Sequence, residues 1–130
     1  VSYKETTTQN KTQNENYTVI SDIDRLMVAS AAREHTVRVD ADDENAVMKV
    51  WVKDLTFLQM QEAVKSFVAI GGDGGIDLDL AGYWKYMIEK CVERTEPKLS
   101  KIQMLGLNAY AGQQLTALLP QPQDLVAAPL

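Results

Sequence analysis

One cysteine and one histidine are all the sequence offers of the side chains that most often bind transition metals or attack carbonyl carbons. With a lone His35, any Ser-His-Asp or Cys-His arrangement would have to pass through that residue, which lies at the edge of a valine-rich segment with no cysteine near it. Zinc sites built from several His or Cys ligands are excluded by count. Cys91 cannot form an internal disulfide; it falls on an apolar helical stripe and reads as a buried thiol of a reducing compartment. No run approaches the ~18 consecutive apolar residues of a membrane span. The opening stretch, VSYKETTTQNKTQNENYT, lacks a charged head followed by an apolar run, so no secretory signal is expected and a cytoplasmic setting is. Basic residues are also sparse: 13 Lys and Arg stand against 18 Asp and Glu, a net charge of −5. They are dispersed singly or in pairs, without the stripe needed to neutralise a run of phosphates, so nucleic acid is not expected as a partner.

What is present fits one domain. Of 130 residues, 45% are hydrophobic and 24% charged, enough for a modest core. Residues 1–18 are rich in Thr, Asn and Gln and nearly free of aliphatic side chains, which predicts a flexible polar arm. A globular unit is expected over 19–120 and an extended, proline-punctuated tail over 121–130. In SDIDRLMVASAAREH, apolar residues recur at helical spacing from Ile23, predicting a short helix over about 22–34, with Ser21 and Asp24 as a capping pair. HTVRVD and AVMKVWVK then alternate and read as a hairpin around the acidic turn DADDEN. Its acidic residues, Asp40, Asp42, Asp43 and Glu44, lack the turn glycine and distal glutamate of a calcium loop, and read as a solvated turn. Thr56 and Gln59 form a capping box, with Leu55 and Met60 placed as a hydrophobic staple, opening a helix expected to reach Ile70. A second amphipathic helix is expected from about Leu80 to Glu96, where Pro97 stops it. Ser100 and Gln103 form another box, opening one loosened helix or two short ones, with Asn108 as a second cap. The fold class is therefore α+β, mainly α: a small β-hairpin packed on about four helices.

The segment IGGDGGIDLDLAG, Ile70 to Gly82, looks most like a site. A phosphate loop should follow a strand and close on Gly-Lys-Ser or Gly-Lys-Thr, yet a helix precedes this segment and the next lysine is Lys85. The calcium-binding nonapeptide needs aspartate where Ile76 stands, and it needs tandem copies. Asp77 and Asp79 are a carboxylate pair without an accompanying histidine, lysine or nucleophile. The simpler reading is a joint between helices: Gly71 and Gly72 stop one, and Asp77 or Asp79 caps the next. Neither a catalytic, a metal nor a cofactor site is expected.

Two stretches, VWVKDLTFLQMQEAVKSF at Val50 to Phe67 and YMIEKCVERTEPKLSKIQMLGL at Tyr86 to Leu107, resemble the tail assembly chaperones of tailed bacteriophages. The likeness rests on a strand entering a helix through Leu55 and Thr56, and on an exit from a later helix through Val92, Pro97, Leu99 and Ser100. It covers about half the chain. It implies a small, mostly helical adaptor without an active site, which binds the tape-measure protein or other tail proteins in the host cytoplasm during assembly. A structural baseplate, tail or minor virion subunit is the alternative, and self-association is left open. Two aromatic residues are the candidate partner-binding residues: Trp51, on the charged face of its strand and either half-covered by the first helix or exposed, and Tyr86, off the apolar stripe of its helix. Leu125 and Val126 in the apolar tail join them.

Overall fold

The computed structural model describes residues 16–70 and 74–126. Its strands and helices make a small α+β fold, with five strands, five α-helices and a 3-10 turn among the described residues. The expected arm at 1–18 falls almost wholly outside them.

The first hairpin forms where alternation places it. Strand β1 (Arg33–Arg38) pairs antiparallel with β2 (Val47–Val52), Val37 opposite Met48 and His35 opposite Val50. Met48, Val50 and Val52 share one face and are buried, while Lys49 points to solvent from the other. The acidic loop closes on a Val39 N–H to Ala46 carbonyl bond of 3.0 Å. Within it, the carboxylates of Asp40 and Asp43 accept from the N–H groups of Asp42 and Asn45 at 2.9 and 3.0 Å. These carboxylates are turn acceptors, which is how acidic residues most often serve a tight loop.

Helix α1 (Phe57–Phe67) starts at the Thr56 capping box: Gln59 N–H donates to Thr56 Oγ1 at 3.1 Å, and Thr56 N–H to Gln59 Oε1 at 3.0 Å. It ends at Phe67, short of the Ile70 that the periodicity predicts. Val68 is already extended, and β3 (Val68–Ile70) pairs antiparallel with β4 (Ile76–Leu78). Two paired strands thus stand where a joint between helices is expected; Gly74 holds a positive φ of 86°, as hairpin turns often require. The expected role of Gly71 and Gly72 lies outside the described residues. Asp79, in contrast, does cap the next helix, α2 (Leu80–Cys91), accepting from Gly82 N–H at 2.8 Å.

The largest departure follows. Helix α2 stops at Cys91 rather than at the proline, and Val92–Glu96 is a strand, β5. It pairs antiparallel with β2, Val50 opposite Thr95 and Val52 opposite Val92, with a register shift between Trp51 and Val52. The sheet is therefore three-stranded, in the order β1-β2-β5, with β2 central. Val92 and Thr95 are buried and β-branched, so strand pairing suits them and gives β2 a second partner. The helix expected over 22–34 is likewise reduced to a 3-10 turn, Ile23–Leu26, with no buried side chain; Asp22, not Ser21, caps it. A short helix that buries no side chain is marginal, and here Arg33 and Glu34 belong to β1.

Beyond β5, two short helices follow: α3 (Lys101–Leu105), opened by the Ser100–Gln103 capping box, and α4 (Ala109–Thr116), capped by Asn108. The tail expected to be extended forms one more turn, α5 (Pro122–Val126). One core joins these pieces. Val50, Tyr83, Met87, Cys91 and Leu115 are wholly or almost wholly buried, and Phe67 meets the Tyr83 ring edge-on at a centroid distance of 5.4 Å. The Tyr83 hydroxyl donates to the Pro120 carbonyl at 2.6 Å, fastening the segment before α5 to the centre of the molecule.

Candidate interaction surfaces

Two polar devices hold the helices in place, and each uses a side chain that would otherwise suggest chemistry. The Lys101 ammonium donates to the carbonyls of Ile88, Glu89 and Val92 at 3.0, 3.2 and 2.6 Å. It therefore closes the C-terminal end of α2, where a cation also complements the helix dipole. Desolvation lowers its pKa from the ordinary lysine value. Thr95, the buried polar residue of β5, donates to the Pro97 carbonyl at 2.7 Å and accepts from Leu99 N–H at 2.9 Å. Cys91 is buried, and that burial pushes its thiol up to about 11. A thiol so held is a poor nucleophile at neutral pH.

Among the described residues, no group of three or more His, Cys, Asp or Glu side chains could hold a metal ion. Asp79 is engaged as the α2 cap, Asp77 stands exposed on β4, and Asp73 lies outside the described residues. Among those residues, too, no helix is long and apolar enough to cross a membrane.

The candidate partner-binding residues fare differently from one another. Trp51 is half-buried on the outer face of the central strand, where the Arg94 guanidinium of β5 lies 3.6 Å above its ring. Of the two expectations, half-covered by the first helix or exposed, it is half-covered, with a cation stacked on its aromatic face. Tyr86 is a contact between α2 and α1: its half-buried hydroxyl lies 3.1 Å from both the Gln59 carbonyl and Glu62 Oε1. Burial first, and the Glu62 carboxylate second, raise its pKa. The side chains of Leu125 and Val126 lie outside the described residues.

Two apolar depressions add to what the sequence predicts. The first, of about 480 Å³, runs between α2, α3 and α4. Met104 and Leu115 form its buried floor, Trp84 and Ile88 one wall, and Leu105 an exposed lip, with Lys85 at the rim. Gly112 also lines it, and a Cβ built there meets nothing within 4 Å. The second, of about 570 Å³, lies where Leu26, Met27 and Val28 approach Leu55, Thr56, Phe57 and Leu58. The α1 periodicity places Phe57 inward, yet it is 82% exposed at the first position of the helix.

No protein-family model matches the chain, and neither a curated protein nor a solved structure matches it.

Proposed function

We propose that this chain is a non-enzymatic assembly adaptor of a bacteriophage tail, and that it holds a helical segment of the tape-measure protein or another tail protein in the groove between α2, α3 and α4. The observation that carries this reading is the groove itself: an open, mostly apolar channel whose walls come from three helices. An amphipathic helix docks in such a channel through side chains spaced three and four residues apart. Lys85 at the rim favours a carboxylate on the partner. The setting in tail assembly rests on the resemblance of Val50 to Phe67 and Tyr86 to Leu107, and the strand at Val92–Glu96 departs from the helical exit which that resemblance implies.

Co-elution with tape-measure segments in size-exclusion chromatography tests the reading. Leu105→Glu places a charge on the exposed lip, and Gly112→Leu fills open space in the groove while replacing a helical glycine. Both variants should fold and both should lose the partner. In purified virions the chain should be missing by mass spectrometry. A chain that draws no tail protein from infected cells, or variants that bind as well as the original, would refute it.

A further inference from the structure

The three-stranded sheet has two edges, and they are finished differently. At the β5 edge the register shifts between Trp51 and Val52, and Pro97 follows the last residue of the strand. Bulges and prolines keep an edge from pairing with stray strands. β1 carries neither: its residues pair with β2 one for one from Arg33 to Arg38, and none is a proline. The register also fixes which groups this edge presents. Val39 N–H donates to the Ala46 carbonyl at 3.0 Å, so antiparallel alternation directs the backbone groups of Val37, His35 and Arg33 to β2 as well. The N–H and C=O groups of Glu34, Thr36 and Arg38 point the other way. Among the described residues, no backbone or side-chain group outside the sheet bonds to them. The edge is a row of donors and acceptors without partners, the template to which an added strand pairs.

Which strand the edge accepts follows from its register. Glu34, Thr36 and Arg38 are exposed and share the outer face of the sheet. Arg38 reaches the Asp40 and Ala41 carbonyls at 3.5 and 3.3 Å and lies 5.7 Å from the Tyr110 ring, with no carboxylate paired to it among the described residues. Glu34 has an exposed Lys49 3.6 Å away, a weak surface pair. Outward-pointing groups must meet outward-pointing groups, so a second β1 laid antiparallel to the first slides only in steps of two residues. With Thr36 opposite Thr36, Glu34 of each chain faces Arg38 of the other, and on the inner face His35 faces Val37. One step in one direction sets Glu34 against Asp40, and one step in the other sets Arg38 against Ala32. Two steps set Glu34 against Glu34 or Arg38 against Arg38. Opposite charges meet in a single register, and like charges directly opposite destabilise the others. We infer that two copies of this chain join β1 to β1 about a twofold axis at Thr36, so that their two sheets become one. The groove between α2, α3 and α4 takes no part, and the dimer does not depend on what that groove holds.

Sedimentation equilibrium of the full chain tests this, with charge reversal to read the register. The parent should approach twice the 14.5 kDa chain mass, reversibly, as concentration rises into the micromolar range. Glu34→Arg and Arg38→Glu each set like charges against one another across the axis, and each alone should stay monomeric. Mixed in equal amounts, the two variants should dimerise, because each then offers the sign that the other needs. The double variant Glu34→Arg, Arg38→Glu reverses every pair and should dimerise like the parent. Thr36→Pro removes an outward N–H and none of the bonds to β2; it should keep the parent's circular dichroism and lose the dimer. A parent that stays monomeric at hundreds of micromolar overturns the inference. So do single variants that self-associate as the parent does, or a mixture of them that remains monomeric. Leu105→Glu, aimed at the groove, should leave the dimer intact, so failure of the groove reading and failure of this one are told apart.

Discussion

Replacing Gly82 by alanine would place a methyl group where the cap of α2 already sits. A Cβ built on Gly82 lies 2.5 Å from Asp79 Oδ2, 2.9 Å from its Cγ and 3.0 Å from the Ser66 carbonyl oxygen. The carboxylate must swing away, and the 2.8 Å bond from Gly82 N–H to Asp79 Oδ1 goes with it. Losing such a cap costs about 1 kcal/mol. Ser66 is a different kind of obstacle, since its oxygen is backbone near the end of α1, and relief there means shifting one helix against the other. Alanine returns at most ~1 kcal/mol of helix propensity, and less in the first turn than in the interior. The expected net effect of Gly82→Ala is a loss of about 1–2 kcal/mol, or some 4 °C or more in melting temperature for a domain near this size. The double-mutant cycle carries the sharper claim. Asp79→Ala alone should cost about 1 kcal/mol, and Gly82→Ala added to it should cost little more, because cap and carboxylate clash are already gone and the helix propensity of alanine offsets the contact with the Ser66 carbonyl that remains. Urea titrations followed by circular dichroism on the four proteins measure the coupling, expected near 1 kcal/mol. Additive single effects, with an interaction term under about 0.3 kcal/mol, would show that the carboxylate and the glycine do not compete for the same space.

Lys101→Met should cost about 1.5–3 kcal/mol in urea denaturation, because the carbonyls of Ile88, Glu89 and Val92 lose a charged donor at once; a loss below half a kcal/mol would mean that water serves them equally well. Thr95→Val preserves shape in β5 but strips Leu99 N–H and the Pro97 carbonyl of their partner, for an expected loss of about 1–3 kcal/mol. An unchanged melting temperature would contradict it. In alkali, the direction follows from two buried acids held neutral: Tyr83, raised by desolvation from 10 to about 12, and Cys91, raised from 9 to about 11. The unfolded chain releases these protons first, so their contribution is complete below pH 9 and is lost between about pH 9 and 12. Melting temperature should fall across that window, and Tyr83→Phe, though less stable at neutral pH, should fall less steeply above pH 10; parallel curves would refute the assignment.

Signals carried by a few neighbouring residues are legible in the sequence alone. The capping boxes at Thr56 and Ser100 and the Asn108 and Asp79 caps are contacts over three residues, set by local geometry. The β1–β2 hairpin is equally legible, since its alternation separates a valine face from a charged one. What escapes depends on distant partners. Val92 fits the helical stripe of α2 and the buried face of β5 equally well, and only the free edge of β2, far earlier in the chain, decides between them. Likewise the periodicity of α1 runs on into Val68–Ile70, but Ile76–Leu78 claims those residues for a hairpin. The helix expected over 22–34 fails for the opposite reason, since no side chain of its remaining turn is buried. The candidate surfaces are the least legible of all. Trp84, half-buried against the core, is also the wall of a groove whose other side comes from α3 and α4, far along the chain. Phe57 matches the inward stripe by spacing, yet it stands uncovered at the mouth of the helix.

The placement of β2 in the middle of its sheet has a consequence for synthesis. Its first neighbour, β1, leaves the ribosome before it, but its second is not made until residues 92–96 appear, after both long helices. Until then the nascent chain carries an open edge lined by Val50 and Val52, the kind of edge that recruits stray strands. A ribosome stalled, or a gene cut, just past Cys91 would therefore yield a sticky fragment rather than a smaller working protein. The glycine-rich stretch, inviting as it looks for dissection, divides the polypeptide without dividing the fold.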